Sequence, residues 1–550
     1  MTDGPDWLGT LTDAEERLWV AFGHGRQVEY WYGEEVRAEL VAALALGAVA
    51  GTPGRIAGVR IRGARVVGEL DLRHGTIDVP LTMLNCTFTD SVRLEESITK
   101  SIDLTGSHLT RLSATGAQIR GSFKLNRVEI TDGGEDAALL ELLTVETDLR
   151  CTRLRCSGRI TLINTRVGSA LVLNAAELRY PGDVAINLGG MTVGSSLYFS
   201  NATVEGHLRM PGLSVGGLLT LTGCTLSHPP TDGHFAHQSI TGDSITTGGD
   251  ALFDELTAAG QIDLTGAKFG GRLSFKGAAL TAPVPEWAAL VANAVTVARG
   301  LYIGDGFRAD GIVRLTGIQI GGHLDLFGMA PDSGRLQLYY AKAATVRDGR
   351  TKHGRYVSGG VESWPRDVAL DGFTYEAFDP YLDAGERVKL LRRQPGYTAQ
   401  PYEFMAAYYR ALGHEEAARQ ILIEKERVRH QGFHRLSRLG SVISSTALGY
   451  GYLPRRAAII ALAVQGAASL FYGYEVPTAI HPGDHVTFYP VLYAADLFIP
   501  IVHFGQTDAF QSHGFAAFVA FLLPYLGWAL GLAIVAGASR TLSKGAGGIV

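Results

Sequence analysis

Between Ile186 and Leu226 the apolar side chains recur at steps that fit neither the 3.6-residue period of a helix nor an uninterrupted strand alternation. The large ones, Leu188, Val193, Phe199, Val204, Met210, Val215, Leu221 and Leu226, stand at alternating steps of 5 and 6. The residue two before each is apolar as well: Ile186, Met191, Leu197, Ala202, Leu208, Leu213, Leu219 and Cys224. Most residues between them are polar. An apolar–polar–apolar triplet is a short strand with two side chains on one face. A triplet every five or six residues leaves room only for a corner, and Gly189, Gly194, Ser200 and Gly216 are the residue types that corners need. Coils of four triplets, about 22 residues each, stack so that apolar rows face inward and polar rows face water. The pattern predicts a mainly β fold, a parallel β-helix solenoid.

The same beat starts at Val59–Ile61 and returns at Leu70–Leu72, Leu81–Met83, Val92–Leu94, Ile102–Leu104 and Phe123–Leu125, and later at Leu301–Ile303, Val313–Leu315 and Leu324–Leu326. Val368–Leu370 and Phe373–Tyr375 read as a last coil. The expected extent of the right-handed solenoid is residues 55–378. Loops are expected to bulge from it at 227–249, 282–290 and 329–366, the last of them basic. Ahead of it, 1–54 reads as a helical cap covering the open end of the stack. There Thr12 and Glu15 form a capping box, and a second helix is expected from Glu34 to Leu46. Residues 379–440 turn helical, with a helix–turn–helix of tetratricopeptide type over Tyr402–Lys425 read as a stalk or docking pair.

From 441 to 550 the composition is that of a membrane domain. Apolar stretches near 457–474 and 515–535 are about long enough to span a bilayer. Arg455 and Arg456 precede the first, Arg540 and Lys544 follow the second, and few basic residues lie between, which puts both termini and the solenoid on the cytoplasmic side of the cell (inner) membrane. The acidic, polar start of the chain has no apolar h-region, so no signal peptide is expected. Residues 489–504 are apolar but interrupted by Asp496, Pro500 and His503, and fit either a re-entrant or an interfacial segment. Asp496 and His503, seven apart, share a face if that segment is helical.

Chemistry is harder to find. Four cysteines in 550 residues exclude a disulfide scaffold, and Cys86 and Cys224 fall on inward positions. The chain has 69 glycines and a net charge of only −5, so nothing favours broad attraction to nucleic acid. No dinucleotide fingerprint, phosphate-binding loop, nucleophile elbow or zinc-protease motif occurs, so no cofactor is expected and no catalytic residue is assigned. His228, His234 and His237 are the candidate metal ligands, at a spacing more typical of solvated loop histidines. Asp71, Asp103, Asp263 and Asp325 sit mid-triplet, where surface residues are expected.

Residues 102–121 step strictly by five through Leu104, Leu109, Ala114 and Ile119, and IDLTG recurs at Ile262–Gly266. In this the chain resembles the pentapeptide-repeat family. The whole arrangement of cap, solenoid, helix pair and two spans resembles actinobacterial membrane-anchored proteins often labelled membrane-associated oxidoreductases. The resemblance implies a similar fold and, by its label alone, a redox activity. The residues themselves lead to a membrane-tethered cytoplasmic scaffold or protein-interaction module without catalysis, whose partners are the bilayer and a protein bound to the solenoid or its loops. The oxidoreductase is the alternative, and a small oligomeric pore the third reading.

Overall fold

The structure, a computed structural model, describes residues 6–31, 33–131, 136–227, 237–352, 355–431, 454–481, 487–499 and 501–542. The chain divides into two compact units, Met1–Gly396 and Tyr397–Val550.

The first unit is the solenoid. All sixteen residues of the 186–226 beat are at most 2% exposed. Each coil lays down four short strands, shown by Thr192–Val193, Leu197–Tyr198 and the two ends of Thr203–Arg209, which define faces one, two, three and four. Every ladder between coils is parallel. Leu149 pairs with Leu171, Leu197 with Leu219 and Ala251 with Leu273, each 22 residues on. About twelve such turns stack between Val59 and Asp379. Burying each inward Leu, Val, Ile or Phe stabilises by roughly 1.5–3 kcal/mol, so the stacked rows dominate the fold's energetics.

Two of the four corners per coil are turns that need a left-handed residue. Asn201, Gly223, Glu255 and Gly277 take this conformation between faces two and three, and Asn164, Gly190, Gly212 and Ser244 between faces four and one. The recurring IDLTG is one of these corners. Asp103 Oδ1 accepts from the Thr105 N–H and hydroxyl, and Asp263 Oδ1 does the same with Thr265. The aspartate thus serves the turn it precedes.

The N-terminal end is built differently from the expected purely helical cap. Helix α1, Asp13–Phe22, starts with the capping box at Thr12 and buries Leu18 and Phe22. Val28–Glu29 then pairs with Ile61–Arg62, and Glu35–Arg37 with Arg65–Val67, so residues inside 1–54 already form half a coil. The expected helix from Glu34 therefore starts later, as α2, Ala38–Ala45, because Val36 is drawn inward against the first full coil. Arg37 locks the two parts together. Its Nε and Nη2 donate to Glu15 at 2.7 and 2.8 Å, and Glu15 is 1% exposed.

Glu15 also makes a prediction. Burial pushes its carboxyl up, but the bonds from Arg37 and from the Thr12 and Arg37 amides outweigh this and hold it below the ordinary value. A depressed acid contributes stability that is present above its unfolded pKa, about 4.3, and is lost as pH falls through the folded value. Amide exchange in α1 is expected to quicken on acidification while the central coils stay protected. Glu15→Gln, costing about 1.5–3 kcal/mol in charged hydrogen bonds, should quicken it already at neutral pH. Equal exchange in the two proteins at pH 7 refutes this assignment.

At the other end Thr374–Asp379 completes the last coil, and helix α3, Ala384–Leu391, lies over the end with Leu390 and Leu391 buried. Arg387 and Asp348, both fully buried, form the ion pair beneath it. Trp364 Nε1 donates to Asp348 at 2.8 Å, Arg387 donates to the Pro380 carbonyl at 3.1 Å, and the guanidinium lies 3.7 Å from the Phe378 ring centre.

The second unit contains α4, Gln400–Ala411, and α5, Glu415–Gln431, the expected helix–turn–helix, with Tyr402, Met405, Tyr409, Ile421 and Leu422 buried. It also contains α6, Pro454–Tyr474, α7, Pro490–Phe498, and α8, Gly514–Leu542. Within α6 and α8, Ala457–Tyr474 and Gly514–Leu532 are long and apolar enough to cross a membrane. These three helices pack through Ala468, Tyr472, Tyr493, Phe498 and Leu523, joined by Phe510 from the short strand Phe510–Gln511. Gly527 meets the Phe498 carbonyl so closely that no side chain fits there. Phe515, Phe518, Phe521, Trp528, Leu462 and Leu470 point outward, as lipid-facing residues do.

Candidate functional site

Four interruptions of the solenoid's rhythm fall at one kind of place. The insertion 131–135 lies between the face-three strand Glu129–Ile130 and the face-four strand Asp136–Leu139. Residues 180–183 interrupt the ladder at the same corner two turns later, between Arg179 and Val184. So do 228–237, between Thr225–Ser227 and Gln238–Thr241, and 282–287, between Ala279–Thr281 and Ala288–Val291. In the last coil the hairpin of strands Gly349–Lys352 and Arg355–Gly359 and the 3-10 turn Gly360–Ser363 precede the face-four strand Val368–Ala369. The first four insertions thus leave from the edge where face three meets face four, whereas the hairpin of the last coil follows the face-two strand ending at Arg347 and stands in place of a face-three strand.

Coils between the looped ones close this same corner with a single glycine. Gly158, Gly206, Gly260 and Gly311 hold φ values of 131°, 128°, 133° and 132°, a region closed to other residues. Looped and tight corners alternate from residue 129 to the end of the tight corner at Gly311. With coils about 4.8 Å apart, successive loops rise roughly 10 Å apart along one edge.

The residue after each tight glycine fastens the neighbouring loops. Arg159 reaches Asp136 at 3.5 Å on one side and Asp183 at 3.1 Å on the other, and lies over the Tyr180 ring. His207 Nδ1 donates to the Gln238 carbonyl at 2.9 Å. Gln261 Nε2 donates to the Ala288 carbonyl at 3.2 Å, and its N–H to the His237 carbonyl at 2.7 Å. Ile312 N–H donates to the Trp287 carbonyl at 2.8 Å. The Trp287 and His237 rings meet edge to face at 4.9 Å. The result is a braced row of loops on a rigid scaffold, the usual placement of binding residues.

The structure trims the expected loops. Of 227–249, residues 238–241 and 246–247 are strands of the stack, paired with Leu208–Arg209 and Ser214–Val215. Of 329–366, Leu336–Gln337 and Lys342–Arg347 likewise belong to coils. Short strands with polar residues carry too little hydrophobic signal to separate them from a loop by inspection.

The sequence-predicted site residues scatter. His228 and His234 lie outside the described residues, as does Lys544. His237 packs on Trp287, and its Nδ1 has no partner among the described residues. No group of three or more His, Cys, Asp or Glu suited to a metal occurs among the described residues. Arg455, Arg456 and Arg540 fall within α6 and α8 at the expected ends. Asp103 and Asp325 lie on face two, Asp71 and Asp263 on face four, and each accepts a hydrogen bond from the amide two residues on. The Arg73 guanidinium beside Asp71 holds its carboxyl down at about 2, whereas burial pushes that of Asp325 up. Burial raises the thiols of Cys86 and Cys224 to about 11 and those of Cys151 and Cys156 to about 12, which suppresses the nucleophilic thiolate.

Asp496 and His503 do come together, though not along a helix face. The helix ends at Phe498, and the chain doubles back so that the fully buried Asp496 carboxylate accepts from the amides of Phe504, Gln506 (2.7 Å) and Thr507 (3.2 Å). His503 Nδ1 stands 3.7 Å from Asp496, and its Nε2 stands 3.0 Å from Asp508. Asp496 organises a turn, and His503 decorates it. Helix periodicity had no means of revealing this, since the pairing is made by a reversal of the chain.

No protein-family model, no curated protein and no solved structure matches this chain.

Proposed function

We propose that the protein is a membrane-tethered scaffold that presents one looped edge of a β-solenoid to a protein partner. The observation that carries this reading is the recurrence of four successive insertions at a single corner. A stack whose loops served no purpose would tolerate them at any of four corners, because each costs little in closure entropy. The two apolar helices supply the tether, and the basic residues outside them support cytoplasmic placement of both termini and the solenoid.

The test uses the full chain in its membrane. Residues 180–183 and 282–287 are each replaced by one glycine, copying the tight corners at Gly158 and Gly311. Intact protein, crosslinked and solubilised, is expected to carry a stoichiometric protein partner that the trimmed variant loses by tenfold or more, on the scale of lost interface anchors. Equal recovery with both proteins, or with neither, refutes the reading. The oxidoreductase alternative implied by resemblance predicts flavin or haem absorbance in the same preparation, and its appearance would replace the scaffold.

A further inference from the structure

Between α6, α8 and the turn after α7 lies a cavity of about 350 Å³, within the size range of small-molecule sites. Ala461 and Leu462 line it from α6, Ile499 and Ile501 from the turn, and Gly527 and Gly531 from α8. The two glycines act differently. Gly527 has no room for a β-carbon because the Phe498 carbonyl stands there, whereas a β-carbon on Gly531 would meet nothing within 4 Å. The space beside Gly531 is thus empty for want of a side chain. Leu462, Ile501 and Trp528 around the cavity are exposed, so it opens to the outside of the three helices.

Among the described residues that line the cavity none is charged, and Gln465 has the one amide side chain. Its Nε2 donates to the Val491 carbonyl at 3.2 Å and to Ser469 Oγ at 3.4 Å. The Ser469 hydroxyl gives its hydrogen to the Gln465 carbonyl at 2.8 Å and has none left for the side chain. Turning the amide over would set two acceptors, Oε1 and the Val491 carbonyl, against each other, so its orientation is fixed. Gln465 Oε1 is left buried, with no partner among the described residues. It stands about 12 Å along the helix from Ala457, where the apolar span begins, a depth at which a bilayer offers no water to satisfy it.

We infer that this cavity binds a lipid alcohol, whose hydroxyl donates to Gln465 Oε1 while its apolar chain fills the space beside Gly531. A neutral O–H is the donor the site admits. An ammonium would find no carboxylate among the lining residues, and an ester or ether lipid offers acceptors only. The inference rests on the tethered reading, since a bilayer both delivers such a ligand and withholds water from Gln465. It gives the apolar helices a ligand of their own, apart from the protein partner of the looped edge.

The experiment titrates the full chain, in phosphatidylcholine nanodiscs, with 11-bromoundecan-1-ol or with its methyl ether, the bromine quenching any tryptophan it touches. Of the six tryptophans, Trp7, Trp19, Trp31, Trp287 and Trp364 belong to the first unit, so Trp528 is the one that reports on the cavity. Trp528→Phe sets the background. The alcohol is expected to quench Trp528 saturably, and the ether to require about threefold to tenfold higher concentration, the worth of one neutral hydrogen bond. Gln465→Met should remove that difference while leaving the ether's own titration in place. Gly531→Leu should abolish saturable quenching by both compounds, since its side chain enters open space. Equal titrations of alcohol and ether in the unaltered protein overturn the assignment of the hydroxyl. Quenching that never saturates, or that survives Gly531→Leu, overturns the cavity as a site. Protein missing from the disc fraction overturns the tethered reading itself, an outcome seen before any ligand is added.

Discussion

Asp348→Ala is expected to unfold the C-terminal end of the solenoid while the central coils persist. The substitution strips the guanidinium of Arg387 of its counter-charge in a site with no exposure, and removes the acceptor of Trp364 Nε1. Breaking one side of a buried pair costs about 3–5 kcal/mol, because the remaining charge has no water to return to. Exchanging both partners for apolar residues, Asp348→Leu with Arg387→Met, should recover most of that loss, since the desolvation penalty disappears with the charges. Hydrogen exchange resolves the outcome by position: amides of Leu336–Asp379 and α3 should lose protection in the single variant and regain it in the double. If the two variants exchange alike, the pair is not what closes this end.

The second large effect is expected at Gly216. It belongs to a column with Gly168, Gly194, Gly248 and Gly270 at the corner between faces one and two, where each coil rests on the backbone of the coil before it. A β-carbon on Gly216 would enter the carbonyl of Gly194, and one on Gly248 would enter that of Gly216. All the atoms the Gly216 β-carbon would meet are backbone of the preceding coil, so there is no side chain to move aside. Gly216→Val should therefore cost about 3 kcal/mol or more, the upper range for overpacking. Ser214→Val, two residues away on face one, should stay within about 0.5 kcal/mol. Urea denaturation of the two variants side by side decides the matter, and similar midpoints would refute the stacked-corner account.

Neither position announces itself in the chain. Asp348 and Arg387 are 39 residues apart and share no period, so their meeting depends on how the last coil is covered. The glycine column is visible as composition, but which corner it occupies is known only once the register is known. The solenoid itself was far more legible, because each inward residue such as Leu197 or Leu219 faces the same demand as its neighbour one coil away, and the demand is written locally. Where local pattern and tertiary pairing part company, reading failed. Val28–Glu29 and Glu35–Arg37 are too short, and too close to helices, to be seen as half a coil. The braced edge was missed for a related reason. The signal was present, as Gly158, Gly206, Gly260 and Gly311 interleaved with Pro- and Asp-containing insertions, but it emerges only when corners are numbered modulo four.

Among the described residues the bracing extends to the neighbouring loop, as in the Trp287–His237 ring contact, and each coil pairs only with the coils beside it. Occupation of one loop therefore has no lever by which to alter a loop three positions away. A long ligand that grips several loops would gain tightness through multivalency, each grip raising the local concentration of the next, which can multiply affinity by about a hundredfold or more without any conformational signal. The edge is suited to measuring the length of what it holds.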